Sequence, residues 1–505
     1  MTNRITGTNS GIDVDTVVKE SLLNEQNKID KAYQQQKVYE YQQEQLKEIV
    51  SDAQDFYDKY LDILSSDSLL KSTNYETASF TSTDSTGAAT TAVTAKGYAG
   101  ADITDYSVTV TQIARKASAT LSNDSVAVGN KIGIKIGEKV VSVEIYEKSD
   151  GSNEADLEKA AKELNSSLKS AGLNVTAKYS EFAKGIVIES GSTGEGESFE
   201  LSTDYDISSK SGIFKTYTGQ NAKGTITKDK YVYDINSSSN TVTVDNVQFT
   251  LNSTTDKVIL SGKTDISNLK DSIVNFVNDY NKLIENINTK LWESRDTDYM
   301  PLTEDQKDDM SDSEIEAWEK KAKTGLLRND SDLTRIQSAM KSAMSSMMSG
   351  TGLTLESIGI EPVDNYTTKN GMFTIDEDKL TEALQNNAEE VKDLFTRAST
   401  TTTVDGKTTT TDKGGVLAQL QSTFKSEFKS SSSSLSKRIG FEGTATENNN
   451  TLSNYITKQK TLIEELQDKY DDKETALYNK YSNLEVMLEK LNAQSNSLSS
   501  LLGTS

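Results

Sequence analysis

Both ends of the chain carry apolar residues at heptad spacing, and this pattern constrains the fold more than any other feature. Near the N-terminus, positions separated by alternating steps of three and four include Leu22, Ile29, Tyr39, Leu46, Val50, Tyr57 and Leu64. Near the C-terminus the corresponding positions are Tyr470, Leu477, Leu484, Leu488, Leu491, Leu498 and Leu502. Such stripes are typical of coiled-coil seams, and each needs a partner that covers it. We therefore expect the two ends to pair in one helical leg, with an N-terminal helix running from about Asp13 to Leu64.

Two irregularities interrupt these seams. Gln36 and Gln43 occupy seam positions near the N-terminus. They indicate either a weak, partly hydrated stretch or a device that fixes the register of the helices. In the C-terminal series, Leu462 and Tyr470 are separated by eight residues, a slip that changes the winding of a supercoil locally.

The middle of the chain changes to a period of two with many β-branched residues, which predicts β-strands. The segments with this alternation are TAVTAKG, YSVTVTQIARKASATLS, KIGIKIG, VVSVEIY, GLNVTAKY, GIVIES, YVYDI, NTVTVDNVQFTLN and KVILSG. One helix is predicted among them, near Glu154 to Ala171. Further on, a Thr-rich stretch from Thr400 to Thr411 predicts a hairpin or a mobile loop.

Helical periodicity returns after the β-rich middle. A helix is predicted over ISNLKDSIVNFVNDYNKLIENINTKLW, with apolar residues from Leu269 to Ile287 on one face. Another helix, DEDKLTEALQNNAEEVKDLFT, follows the strand-like GMFTI. Between them a helix carries a methionine stripe, which is more typical of a core than of an adaptable binding face. The stripe comprises Met340, Met344, Met347 and Met348.

The predicted fold class is therefore α+β with several domains, in which long terminal helices form a leg and a bundle and β-rich head domains are inserted. The expected divisions are a leg of 1–45 and 460–505, a bundle of 46–75 and 265–459, an inner head of 76–128 and 224–264, and an outer head of 129–223.

Composition excludes several classes of function. The chain has 505 residues and a formal net charge of −23, so a nucleic-acid backbone would be repelled. It has neither cysteine nor histidine, which removes thiol nucleophiles, imidazole bases and the usual zinc ligands. Lys257 and Phe199 occupy positions where phosphate-loop and dinucleotide motifs need glycine. We expect no catalysis, cofactor, metal or membrane insertion, and export without a cleaved signal peptide.

Several segments, in the same order along the chain, resemble the bacterial flagellar filament-cap family, also called flagellar hook-associated protein 2. The first is SGIDVDTVV at Ser10 to Val18, similar to the opening signature of the family. The others are YSVTVTQIARK, TGQNAKGTI, FVNDYNKLIENI, the segment from Tyr299 to Leu333, IGIEPV, GMFTIDEDKLTEALQNNAEEVKDLF and LNAQSNSLSSLL. The chain departs from the family at Asn9, where a glycine is usual, and at Lys28, where a proline is common.

The resemblance implies a structural protein at the distal tip of the flagellum, secreted through the flagellar channel and acting in motility. It implies a ring of copies, expected to be a pentamer, with flagellin and the hook–filament junction proteins as partners. An export chaperone is expected on the C-terminal leucines before assembly, because an uncovered seam is an exposed apolar patch. Contact with neighbouring axial subunits is expected at Ser10, Gly11, Asp13, Val14 and Asp15.

Two other functions stay open from the sequence. The β-rich head could act as an adhesin for host glycans or mucin, in which case loss of residues 129–223 would abolish surface binding without affecting motility. An enzyme would need a pair of carboxylates such as glycosidases use, and no pair stands out from the acidic surface.

Overall fold

The computed structural model describes residues 11, 13–149, 152, 154–206, 208–209, 211–346, 353–404 and 407–503, with the backbone alone at 123, 404, 407–409, 411, 501 and 502. The described residues form two compact units. The helical unit falls within Met1–Leu70, Ser272–Leu380 and Asp393–Ser505. The β-rich unit falls within Lys71–Asp271 and Thr381–Lys392. The α+β class, with long terminal helices and an inserted β-rich region, is thereby confirmed.

The helices of the described chain are α1 (Val14–Tyr60), α2 (Leu157–Ser170), α3 (Ser267–Trp292), α4 (Glu304–Asp308), α5 (Asp312–Lys323), α6 (Ser331–Met344), α7 (Glu377–Asn386), α8 (Ala388–Thr396), α9 (Val416–Phe424), α10 (Ser434–Ile439) and α11 (Thr451–Leu502). The strands are β1 (Glu76–Asp84), β2 (Val93–Tyr98), β3 (Tyr106–Gln112), β4 (Lys116–Ser122), β5 (Lys131–Ile136), β6 (Lys139–Glu144), β7 (Val175–Ser180), β8 (Gly185–Thr193), β9 (Ser198–Ser202), β10 (Lys215–Thr218), β11 (Ala222–Lys228), β12 (Tyr231–Ser237), β13 (Thr241–Val244), β14 (Val247–Leu251), β15 (Thr255–Thr264), β16 (Ile360–Pro362), β17 (Phe373–Ile375), β18 (Thr400–Val404) and β19 (Lys407–Asp412).

Helix α1 begins where the sequence predicts but ends earlier. Asp13 is the N-cap, and its carboxylate accepts a hydrogen bond from the Thr16 backbone N–H at 3.2 Å. At the other end the Asp62 carboxylate accepts a hydrogen bond from the Leu64 N–H at 2.9 Å, which closes a turn in place of a further helical turn. The prediction that the helix reaches Leu64 is therefore wrong, and Leu64, 85% exposed, does not lie on the seam.

The C-terminal part of α1 lies in the core of the helical unit. The Phe56 ring packs 5.6 Å from that of Phe276 on α3 and 5.4 Å from that of Phe424 on α9, measured between centroids. Tyr57 also contacts Phe424. Helix α11 begins only at Thr451, and the heptad positions at Leu46, Val50 and Tyr57 are buried in the helical unit.

The β-rich unit contains an antiparallel eight-stranded sheet in the order β12-β11-β3-β15-β1-β2-β14-β13. Its core includes Tyr106, Val108, Ile226 and Phe249. A four-stranded sheet (β10-β9-β5-β6), a three-stranded sheet (β4-β8-β7) and α2 share a second core, which the apolar face of α2 fills through Leu157, Leu164 and Leu168.

Three finer predictions have different outcomes. The helix expected after GMFTI is two helices, because it is interrupted at Asn387, and asparagine favours helix ends over interiors. The Thr-rich stretch forms the hairpin β18–β19. Met340 and Met344 are fully buried, as a core stripe requires, whereas Met347 and Met348 lie outside the described residues.

Candidate assembly site on the terminal helices

The paired part of the leg brings the two ends of the sequence together. Val14, Val18 and Leu22 are buried against the C-terminal helix, where their neighbours are Tyr470, Leu477, Tyr478 and Tyr481. The Tyr478 hydroxyl donates a hydrogen bond to Asp15 at 2.9 Å. Lys473 forms an ion pair with Glu25 at 2.9 Å. Higher numbers on α1 meet lower numbers on α11, so the two helices are antiparallel.

The tip of the leg contains the residues that match the family signature. Gly11 has a positive φ of 70°, which suits glycine, and it precedes the Asp13 cap. The hydrogen bonds from Thr16 lower the pKa of the Asp13 carboxyl, so the cap stays charged at the positive end of the helix dipole. Val14 is buried in the seam, and Asp15 binds Tyr478. Ser10 lies outside the described residues.

Farther along the leg, the seam is only partly covered. Ile29 is buried, and Tyr39 packs on Tyr455 with ring centroids 5.3 Å apart. Tyr455 and Leu462 nevertheless remain exposed by about two-fifths of their surface. Leu462 is also the residue at which the eight-residue slip in the heptads begins.

The two glutamines on the seam behave differently. Gln36 bonds along its own helix to Glu40 at 2.7 Å. The Gln43 amide nitrogen lies 3.2 Å from the Ile439 carbonyl, 3.3 Å from the Asn450 side-chain oxygen and 3.1 Å from the Ser453 hydroxyl. Asn450 is the N-cap of α11. Gln43 therefore links α1 to the start of α11. Of the two interpretations of the seam glutamines, this contact favours a residue that fixes the register of the two helices.

Replacing Gln43 by methionine is expected to loosen the start of α11 while preserving the helix. The change keeps the side-chain length and removes the amide donor, at a cost of about 1 kcal/mol. Hydrogen exchange should become faster at residues 453–456. Gln34→Met, at a half-buried position on the same helix, is the matched control. Equal exchange in both variants would show that the Gln43 contacts do not fix this end of α11.

An acidic segment, α4–α5, is bound to another face of α1, and the sequence did not reveal this. The Tyr33 hydroxyl donates to Glu304 at 2.7 Å, and the Tyr41 hydroxyl bonds to Glu319. Gln45 donates to the Lys323 carbonyl at 2.8 Å. Burial, together with the bond to Glu304, raises the pKa of Tyr33 well above its usual value, so the phenol stays protonated as the donor. The sequence feature that could have indicated this contact is the presence of Tyr33, Tyr41 and Gln45 on α1 outside the heptad positions.

Near the end of α11 the contact with α1 gives way to an exposed apolar stripe. Tyr481 still packs on the cluster of Val14, Val18 and Leu22, and Glu485 is buried. Exposed apolar side chains nevertheless lie between 484 and 498, a length of about 21 Å at 1.5 Å per residue: Leu484 (40%), Val486 (46%), Met487 (66%), Leu491 (58%) and Leu498 (60%). Leu488 is half-buried, and the Leu502 side chain lies outside the described set.

These positions correct one expectation. Leu484, Leu491 and Leu498 follow the heptad spacing but are not part of a seam between α1 and α11, because α1 is shorter than α11 at this end. An exposed stripe of this kind on a helix is typical of a surface that binds another helix. Across the parts of the chain that the structure describes, no helix has the length and apolar character needed to cross a bilayer.

The chain matches two family models, that of the flagellar hook-associated protein 2 N-terminus over residues 10–117 and that of its C-terminus over residues 219–493. A relative described as flagellar hook-associated protein 2, from Halalkalibacterium halodurans, is 28% identical over 542 residues, with 98% of this chain and 99% of the relative covered.

Solved structures of flagellar cap proteins align with parts of the chain. The D1-D2-D3 domains of the flagellar cap protein FliD from Escherichia coli align at 22% identity, covering 77% of this chain and 98% of that chain, with a TM-score of 0.42. FliD from Bdellovibrio bacteriovorus aligns at 20% identity over 33% of this chain and 95% of that chain, with a TM-score of 0.22.

Proposed function

The chain belongs to the flagellar hook-associated protein 2 family, and from this premise we propose that it is a non-enzymatic cap at the distal end of the flagellar filament. In this role it promotes the folding and insertion of exported flagellin and prevents its loss to the medium. The observation that carries the proposal is the exposed apolar stripe from Leu484 to Leu498 near the end of α11, about 21 Å long at 1.5 Å per residue.

The same stripe gives the proposed partners a physical basis. In the filament it binds apolar surfaces of flagellin or of the hook–filament junction proteins, while further copies of this chain form a pentameric ring. Before assembly an export chaperone covers the stripe, because exposed leucines on a monomer would otherwise promote aggregation. Secretion and a position at the distal tip follow from this role. Adhesion through residues 129–223 stays a prediction from the sequence.

Deleting the gene is expected to give short filaments and flagellin monomers in the medium.

A finer test replaces Leu484, Leu491 and Leu498 by glutamine, which forms helices well but is not apolar. The triple variant should fold normally, with unchanged helical circular dichroism, and fail to restore filament length in the deletion strain. The matched control replaces Glu489, Lys490 and Asn492 by glutamine on the same helix. Full-length filaments in the deletion strain would contradict the cap function, and full restoration by the leucine variant would exclude the stripe as its binding surface.

A further inference from the structure

Strand β12 forms one edge of the eight-stranded sheet and pairs only with β11 among the described strands. Its first four residues, Tyr231 to Asp234, are all exposed, although a strand that covers a core buries every second residue. The exposed fractions are 67% for Tyr231, 61% for Val232 and 47% for Tyr233. This edge therefore presents apolar side chains on both faces and a free row of backbone groups.

Edge strands of this kind are usually protected against pairing with other chains by prolines, bulges or inward-pointing charges. The segment from Lys230 to Asp234 contains no proline, and its register with β11 runs without a bulge from Lys228↔Tyr231 to Ala222↔Ser237. An edge without proline or bulge, whose tyrosines and valine lie between Lys230 and Asp234, is suited to the addition of a strand with complementary charges.

The hairpin geometry fixes which backbone groups point outward. Lys228 pairs with Tyr231 across the two-residue turn Asp229–Lys230, so these flanking residues form a hydrogen-bonded pair. Hydrogen-bonded and non-hydrogen-bonded pairs alternate in an antiparallel ladder. Tyr231 and Tyr233 therefore bond to β11, whereas the N–H and C=O groups of Val232 and Asp234 point toward the free side.

The sequence of this edge is complementary to itself when it is read in the opposite direction. In an antiparallel pair of two identical strands centred on Val232, Lys230, the turn residue just before the strand, comes beside Asp234 of the second copy at the end of the ladder, and this pair of opposite charges occurs twice. Tyr231 lies opposite Tyr233, which gives two aromatic cross-strand pairs. Centring on Asp234 would instead place two aspartates opposite each other. Of these two registers, only the one centred on Val232 therefore pairs opposite charges.

We propose that β12 is a docking edge for β12 of a second copy of this chain, in the antiparallel register centred on Val232. The contact is isologous, because both copies use the same strand and each pair of residues occurs twice across the two-fold axis. Such a contact closes a dimer and cannot propagate into a ring. It rests on no feature of the leg and is separate from the ring contacts of the proposed cap. A five-residue edge is much smaller than a standard interface of about 1,600 Å², so the dimer is weak and reversible in solution.

Cross-linking tests this contact directly, because the chain has no cysteine of its own. Val232→Cys places two thiols across the dimer axis, where paired Cα atoms lie about 5.5 Å apart. A short bismaleimide should convert the purified full-length variant into a covalent dimer. Phe182→Cys, at a fully exposed turn between β7 and β8, reports random collisions and should give about tenfold less dimer.

Charge exchange then distinguishes the proposed register from other ways of bringing these strands together. In the Val232→Cys background, Asp234→Lys or Lys230→Asp alone should reduce the cross-linked yield about tenfold, because like charges then face each other. The double exchange, Lys230→Asp with Asp234→Lys, should restore the yield. Equal yields from Val232→Cys and Phe182→Cys, or no restoration by the double exchange, would overturn the docking register.

Filament assembly separates this inference from the proposed cap function. Asp234→Lys without the cysteine should restore full-length filaments in the deletion strain. The variant that carries both Asp234→Lys and Val232→Cys should lose the cross-linked dimer. Loss of filaments together with loss of the dimer would show that the edge belongs to the cap's own assembly contacts, and would overturn the separation proposed here.

Discussion

Replacing Phe56 by alanine is expected to destabilise the helical unit by about 4 kcal/mol, the cost of removing a buried aromatic ring without collapse of the cavity. The ring lies within 5.1 to 6.4 Å of Tyr60, Phe276, Phe424 and Tyr280, measured between centroids, and joins α1 to α3 and α9.

Denaturant unfolding, followed by hydrogen exchange of the core helices α3 and α9, measures this effect. Exchange should become faster in these helices and stay unchanged in the strands of the eight-stranded sheet. Phe182→Ala, at a fully exposed aromatic residue, is the control and should change stability by less than about 0.5 kcal/mol. A loss below about 1 kcal/mol for Phe56→Ala would show that this cluster does not hold the bundle together.

Replacing Arg438 by methionine is expected to cost about 3 kcal/mol, because it removes the cation paired with the buried Asp330 carboxylate and leaves Asp332 with Arg335 alone. The guanidinium donates to Asp330 at 2.6 Å and to Asp332 at 3.3 Å, joining α10 to the start of α6. Arg335 also bonds to Asp332, at 3.1 Å, and to Glu427. Lys437→Met, at an exposed position on the same helix, is the matched control and should have little effect.

The loss should also depend on pH. Burial alone would raise the pKa of Asp332, but the hydrogen bonds from Ser434, Arg335 and Arg438 outweigh it and hold the pKa below its ordinary value. A carboxyl with a depressed pKa stabilises the fold above its unfolded pKa, and this contribution disappears as the pH falls through the folded pKa. Removing Arg438 should therefore move the acid-unfolding midpoint upward. An unchanged midpoint would contradict the ion-pair account.

The features that sequence predicted well are local. Heptad spacing and alternation set which face of a helix or strand is apolar, and the burial of Leu22, like the strands near Tyr106 and Val247, agrees with these patterns. The end of α1 was misplaced because the carboxylate of Asp62 closes a turn that periodicity does not record.

The features that sequence missed depend on distant residues. A heptad shows that a helix has an apolar stripe but does not identify its partner, so Tyr57 and Leu484 received the same interpretation although one is buried in the bundle and the other is exposed. The binding of α4–α5 to α1 joins Tyr33 to Glu304, and no local pattern reports a contact over that separation. The self-complementary edge at Val232 became visible only once the strand order placed β12 at the end of its sheet.

The antiparallel pairing of the chain termini is the central claim, and a distance between two spin labels tests it most directly. Lys28→Cys and Lys469→Cys place one label on each helix near the Glu25–Lys473 ion pair. Because packed helices lie 8–10 Å apart, the labels should give a narrow distribution centred within about 25 Å. A broad distribution centred far beyond that distance, in the purified full-length protein and in assembled filaments, would contradict the account.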